Sequence, residues 1–399
     1  MNNTIKLAVA AALLAGASSA NAGIMIPAGD WTLDIGGVVN AYYTSTRHSG
    51  NSVGLGSAND TGTSTASNIT TGLLPNYLSV SGKTRQNDLD VGFTISINPG
   101  ASTTHSGEQN GNVNQENRQA FVTFGDKSWG SIKLGKDLGI YASDAILNDM
   151  TLLGVGSGAG FLAGNTTTLG RIGSGFMYAD WKSQVAYSSP NWSGFSFTGG
   201  VTQAWNAGAT GASATSSGRG GASPAFEGKA SYEWAGDFGG KVWVSGISQK
   251  VKGLTGTLIT SDTANAWDLG ATVNVAGFGA TAYFGQGSGT GTTVLLRDGF
   301  DTTGNARDSQ DWYVQGTYTI PTVGTKLGVS YGESKLDGNG VADTGLGNGT
   351  YKNKMWTIGA YHPITKHLNL VAEYDDVKGS IPTAKGKDKT IALGAILFF

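Results

Sequence analysis

Asp88–Asn98, DLDVGFTISIN, is the stretch that decides the fold. Leu89, Val91, Phe93, Ile95 and Ile97 alternate there with Asp88, Asp90, Gly92, Thr94 and Ser96. Successive side chains of an extended strand point to opposite faces, so the segment has one apolar face and one polar face. Just upstream, Pro75–Lys83 reads as a second strand, joined to the first by the short polar turn Thr84–Asn87. Strands joined this tightly run antiparallel.

The same pairing repeats outward in both directions. Trp31–Tyr43 sets Trp31, Leu33, Ile35, Val39 and Ala41 against Thr32, Asp34 and Asn40. Arg118–Gly125 and Ser131–Lys136 flank the turn Asp126–Gly130, and Ser183–Ser188 and Gly194–Trp205 flank Ser189–Ser193. Four more pairs follow: Phe226–Trp234 with Lys241–Lys250, Ala264–Ala276 with Gly279–Gln286, Asp311–Ile320 with Thr325–Glu333, and Tyr351–Tyr361 with Leu368–Val377. Asp388–Phe399 ends the chain. Between pairs lie longer polar links such as Thr44–Gly72 and Pro99–Asn117, which read as surface loops. The count is about sixteen strands, with short turns and long loops in strict alternation. This is the pattern of an all-β, transmembrane antiparallel β-barrel with short periplasmic turns and long outer loops. A sheet in lipid must close on itself, so the last strand is expected to meet the first.

Composition agrees. The 399 residues include 64 Gly, 8 Pro and no Cys, which excludes a disulfide scaffold. Ten Trp, 14 Tyr and 14 Phe are too many aromatics for a disordered chain. Trp31, Tyr43, Trp205, Trp234, Trp267, Trp312 and Trp356 stand near strand ends, as interfacial girdles require. No fixed repeat marks a solenoid. Lys6, the apolar run Leu7–Ala17 and Ala20-Asn21-Ala22 read as a cleaved signal peptide over residues 1–22, leaving 23–399 as one barrel domain. The formal net charge of −2 becomes −3 when Lys6 is removed (25 Lys+Arg against 28 Asp+Glu), and gives no reason to expect nucleic acid as a partner.

Several segments resemble the Gram-negative general diffusion porins, the trimeric sixteen-stranded outer-membrane family. WTLDIGGVVNAYY (31–43) looks like their first strand, NRQAFVTFGDKSWGSIKLGK (117–136) like their Arg-Gln-Ala-Phe strand and following hairpin, and VAYSSPNWSGFSF (185–197) like their Ser-Pro turn. Ile391, Leu393, Ala395, Leu397 and terminal Phe399 look like the signal read by the barrel-assembly machinery. The resemblance implies a homotrimer in the bacterial outer membrane, in contact with lipid and lipopolysaccharide, passing small hydrophilic solutes and ions by passive diffusion.

It also gives meaning to the long segment Asp137–Tyr178, which interrupts the strand array after the fifth strand. Loops of this length are uncommon and usually functional. In the family this third loop folds into the lumen and carries acids opposite basic wall residues. By resemblance Asp149 takes the acidic position with Asp144 as second candidate, and Arg171 and Arg118 are the opposed arginines; Lys182 lies near the Ser-Pro strand's usual arginine. Tyr77, Leu153 and Asp180 depart from the charged family pattern. Strand parity makes Lys133 an inward candidate for the constriction and turns Lys136 outward, where Glu108 or Glu116 of a neighbouring subunit is a possible partner.

Two other functions compete: a substrate-selective channel and an outer-membrane barrel enzyme. Gly50–Gly54 matches nucleophile-elbow spacing but lies in a loop without strand-to-helix context. His48 and His105 fall in outer loops and His362 and His367 at the opposite rim, so no catalytic set is expected. Glu373, Asp375 and Asp376 read as a solvated acidic strand end, and neither metal nor cofactor is expected.

Overall fold

The computed structural model describes residues 23–51, 53, 65–101, 115–158, 167–205, 223–252, 261–301, 303–340, 343 and 345–399. The segment expected to be the signal peptide and the loop acid Glu108 lie outside the described residues. The wall of the barrel is built from sixteen strands: β1 (Trp31–Gly50), β2 (Tyr77–Gln86), β3 (Leu89–Pro99), β4 (Ala120–Asp126), β5 (Gly130–Leu138), β6 (Trp181–Ser188), β7 (Phe195–Thr202) and β8 (Ala225–Trp234), then β9 (Phe238–Lys252), β10 (Ser261–Val275), β11 (Phe278–Ser288), β12 (Asp308–Thr319), β13 (Lys326–Asp337), β14 (Thr350–Pro363), β15 (Leu368–Ile381) and β16 (Ala384–Phe398). Each pairs antiparallel with the next in chain order.

β16 then returns to β1, with Leu397 opposite Val39 and Thr390 opposite Thr46. The final residue completes the seam. The Phe399 amide donates to the Gly37 carbonyl at 3.0 Å, and the Gly37 amide donates back to the Phe399 oxygen at 2.7 Å. Closure removes the unpaired edge that hydrocarbon would not tolerate. Three short accessory strands extend the wall: Ile24–Ala28 and Thr65–Thr70 pair with the two ends of β1, and Gln115–Glu116 pairs with the end of β3.

The two faces of the wall follow the sequence alternation. On β14, Trp356 and Ile358 point outward and are about half exposed, whereas Met355 and Thr357, which alternate with them, are buried. Val39, Ile95, Val244, Leu269 and Ile391 continue this outward apolar surface. Such a surface is a liability in water and is the lipid-facing band of a membrane barrel. No helix among the described residues is long and apolar enough to cross a membrane.

Two outer regions differ from the sequence expectation. β1 continues to Gly50 and is met by Thr65–Thr70, where a loop from Thr44 to Gly72 was expected. At the other side of the seam, β15 and β16 run to a tight turn at Pro382-Thr383 instead of a loop over 378–387. The reason is physical. Beyond the lipid band both faces of a strand are wet, so the apolar/polar alternation that reveals a strand is absent. Thr46 with Thr390 (2.8 Å) and His48 with Asp388 (2.7 Å) bond across the seam there, so His48 is a strand residue and not a loop residue.

Candidate functional site

The described chain between β5 and β6, residues 139–158 and 167–180, leaves the wall and crosses the lumen. It contains one turn of α-helix, α1 (Ser143–Leu147), and a 3-10 turn at Met150–Leu153. Irregular backbone at membrane depth is stable only when protein groups satisfy its amides and carbonyls. The inward wall positions supply those groups in sequence around the barrel.

Glu227 on β8 fixes the start of the loop. Its Oε2 accepts from the amides of Ile140 (2.8 Å) and Tyr141 (2.9 Å), while its Oε1 accepts from Thr202 (2.8 Å) and from Lys182. Ser245 on β9 accepts from the Ala142 amide at 3.1 Å and donates to Asp268 at 2.6 Å. On β12 the Tyr313 hydroxyl donates to the Ala145 carbonyl at 2.9 Å, and Gln315 accepts from the Met150 amide at 2.6 Å. Glu373 on β15 accepts from the amides of Val155 (2.6 Å) and Gly156 (3.1 Å) and from the Tyr361 hydroxyl (2.6 Å). Each such bond contributes about 1 kcal/mol net, and more where the acceptor is ionised.

Apolar packing reinforces the bonds. Phe176 meets the rings of Tyr283 and Tyr313, and Ile146, Leu152 and Ile172 join the same buried cluster. Two other segments fold inward and touch the loop. Leu73, at the end of the first outer loop, donates its amide to the Gly154 carbonyl at 2.9 Å. Thr293, in the chain between β11 and β12, accepts from the Tyr178 amide at 2.9 Å.

The charged residues singled out by sequence divide into two sets. The first carries lysines that border open lumen, although their acids Asp144 and Asp137 are themselves buried. Asp144 on α1 pairs with Lys241 (2.6 Å) and Lys229 (3.1 Å), whose side chains keep 22% and 26% of their exposure. Lys133 faces inward, pairs with Asp137 and stands 4.8 Å over the Phe121 ring. The second set is sealed between loop and wall. Arg171 is fully buried; it donates to the Met355 carbonyl at 3.1 Å and to Thr357 at 3.3 Å, with Asp149 at 4.0 Å. Asp149 also accepts from the Thr151 amide at 3.1 Å and from its hydroxyl. Lys182 is consumed by Glu227, and Arg118 is buried beside Glu116 (2.8 Å) and the Trp181 ring.

Two sequence expectations are displaced by these contacts. Asp149, Arg171, Arg118 and Lys182 present no charged edge to open lumen, because packing covers them. Glu373 and Asp375 are buried inside the barrel against the loop and are not a solvated strand end. Within the chain Glu116 bonds Arg118, while Lys136, turned outward, donates to the Asn117 carbonyl at 2.7 Å. Lys229, Lys241 and Glu227 went unnoticed in the sequence. Parity put all three on inward faces, but only the tertiary fold brings them to the loop.

The comparisons with known proteins fit this geometry. The family model described as Gram-negative porin matches residues 8–381. The chain is similar in structure to the outer membrane channel DcaP of Acinetobacter baumannii, with a TM-score of 0.71 and 18% identity over 95% of this chain and 100% of that one. It is also similar to the anion-selective porin from Comamonas acidovorans (TM-score 0.62, 14% identity, 92% and 100% covered). A third is Salmonella typhi OmpF, solved in complex with daunomycin (0.58, 16%, 94% and 100%). No curated protein sequence matches the chain. A closed barrel of sixteen antiparallel strands, a loop bonded across its lumen and a family match over nearly the whole length lead to one conclusion: the chain belongs to the Gram-negative porins and is a diffusion channel of the outer membrane.

Proposed function

We propose that the channel passes small hydrophilic solutes passively, as a homotrimer and without enzymatic activity, through a constriction set by the Gly139–Asp180 loop. One observation carries this reading: the loop is tied to the wall from β8 to β15, yet Lys133, Lys229 and Lys241 beside it stay open to water. Charge exposed at a narrow lumen focuses the field there and sorts permeants by their own charge. In this reading the three lysines are the groups a permeant meets, and the buried Asp144 and Asp137 set how much of their charge is left uncompensated. Asp149, Arg171, Arg118 and Lys182 act one step back, by holding the loop. Phe399 serves assembly, outer-leaflet lipid and lipopolysaccharide surround the barrel, and the barrel-assembly machinery inserts it.

Planar-bilayer recording of the purified protein tests the reading. Ohmic conductance that closes in three equal steps is the expected result. A silent bilayer would overturn the open channel, and closure in single steps would overturn the trimer.

A further inference from the structure

Phe121 stands on the wet face of the wall. On β4 its neighbour Val122 is exposed on the outer surface, opposite Leu134 of β5, which is exposed there too. Phe121 and Thr123 alternate with Val122 and therefore face the lumen. Thr123 is opposite Lys133, and Phe121 lies between Thr94 on β3 and Gly135 on β5. The inward positions one strand further out are Ser81 on β2 and Gln184 on β6. The ring is half-buried and belongs to neither of the apolar clusters that pack the loop into the barrel. A phenyl ring on a wall of hydroxyls and amides gains little from packing, because burial against apolar neighbours is what stabilises such a side chain.

The surroundings hold the ring and leave it open. Lys133 Nζ stands 4.8 Å from the ring centroid, within reach of the attraction between a cation and an aromatic face. Asp137 pairs with the same amine, and its other oxygen accepts from Gln119 at 3.0 Å. An ammonium has three donors, so the pair with Asp137 does not exhaust it. Opposite the ring, Gly135 has φ +132°, and a Cβ there would stand 2.3 Å from the Ala120 carbonyl oxygen and 2.9 Å from the Phe121 Cβ. Only glycine tolerates that backbone, and its lack of a side chain keeps that flank of Phe121 clear. On the far side of Lys133 the next inward positions are Ala186 on β6 and Gly200 on β7, so the wall beside the amine carries no bulk.

An ammonium and a phenyl ring side by side in a wet lumen define the solute that suits both. An inorganic anion uses the amine alone, and a neutral apolar solute uses the ring alone. A solute with a carboxylate on an aromatic body uses the two together, through a charge-assisted hydrogen bond and a ring-to-ring contact. We propose that Phe121 and Lys133 form a subsite for aromatic carboxylates on the path through the barrel, with Lys133 taking the carboxylate and Phe121 the ring. The inference rests on the open-channel reading above and deepens it by naming a class of solute.

The test titrates the purified protein in detergent micelles with para-fluorobenzoate and, separately, with trifluoroacetate, followed by fluorine NMR against protein-free micelles. Both probes carry a carboxylate and only the first carries a ring. Wild type is expected to bind para-fluorobenzoate about tenfold more tightly than trifluoroacetate. Phe121→Ser is expected to erase that ratio while trifluoroacetate affinity moves less than twofold. Phe121→Trp, which keeps a ring, is expected to retain the ratio, and Lys133→Met to weaken both anions. Equal affinity of Phe121→Ser and wild type for para-fluorobenzoate would overturn the subsite. So would an equal loss of both anions in Phe121→Ser, which would make the ring only a support for Lys133. Binding of para-fluorobenzyl alcohol as tight as that of para-fluorobenzoate would overturn the role of the amine. The same preparations are recorded in planar bilayers. A silent bilayer with the benzoate ratio intact would sink only the channel reading, and an ohmic channel without that ratio would sink only the subsite.

Discussion

At the scale of single residues, Asp144 and Asp149 are chemically alike and equally buried, and differ in the bases they meet. Asp144 neutralises two lysines that border water, whereas Asp149 is sealed with Arg171. Asp144→Asn leaves Lys229 without its acid and Lys241 with Glu233 alone (3.0 Å), so the reversal potential in a KCl gradient is expected to move toward anions. An unmoved potential would remove Asp144 from the permeation path. Asp149→Asn removes one of the carboxylates that offset a fully buried guanidinium, which keeps its bonds to Met355 and Thr357, a loss of up to roughly 3 kcal/mol. It should lower the thermal unfolding temperature and change selectivity less than Asp144→Asn does; the reverse order of effects would put Asp149 on the pore. Parity alone told Lys133 and Lys136 apart, because a strand's side-chain period is two. It did not tell Asp144 from Asp149, since a loop has no period and each acid finds its base through a distant strand. Gly154 shows a similar limit. The glycine run 154–160 reads as flexible, but a Cβ on Gly154 would stand 2.1 Å from Glu373 Oε1, so the residue is there to let backbone approach the wall.

At the scale of elements, the loops are held by a few convergent acceptors. Glu227 and Glu373 do this for the loop inside the barrel, and Asp343 does it outside. Asp343, between β13 and β14, accepts from Arg307 at 2.5 and 2.7 Å and from the amides of Gly345 (3.0 Å) and Leu346 (3.1 Å). Arg307 sits where the preceding outer loop rejoins β12, so the pair ties two outer loops together. Burial works to raise the Asp343 pKa, but the bonds from Arg307 and the amides outweigh it and hold the carboxyl at about 2, below its ordinary 3.8. A carboxyl whose pKa falls on folding stabilises the folded form above its ordinary value, and the contribution is lost as pH drops from about 4 through about 2. The loss amounts to roughly 2 kcal/mol. Amide exchange in 338–349 should therefore accelerate between pH 4 and pH 2 after correction for intrinsic rates, and Asp343→Asn should show the faster exchange already at neutral pH. Corrected rates that stay flat over that interval would contradict the role of this carboxylate.

At the scale of the whole molecule, the seam between β16 and β1 turns a sheet into a barrel. Phe399 supplies its last two backbone bonds, and its ring lies against Gly37, where a Cβ would stand 2.8 Å from the ring. Deleting Phe399 is expected to cut the yield of folded protein severalfold, read as the fraction resisting heat denaturation on a gel; a normal yield would show that the seam closes without it. Strand number, antiparallel order and closure were determined by the sequence itself. They depend on side-chain alternation and on the lengths of links, both of which are local along the chain; the lumenal place of the long loop was implied by the family resemblance alone. What only the tertiary structure decided is which charges meet. Asp144 with Lys241 and Arg171 with the β14 backbone are brought together by sheet closure and strand register. Those pairings join residues tens to hundreds of positions apart, and burial then sets which of them water reaches.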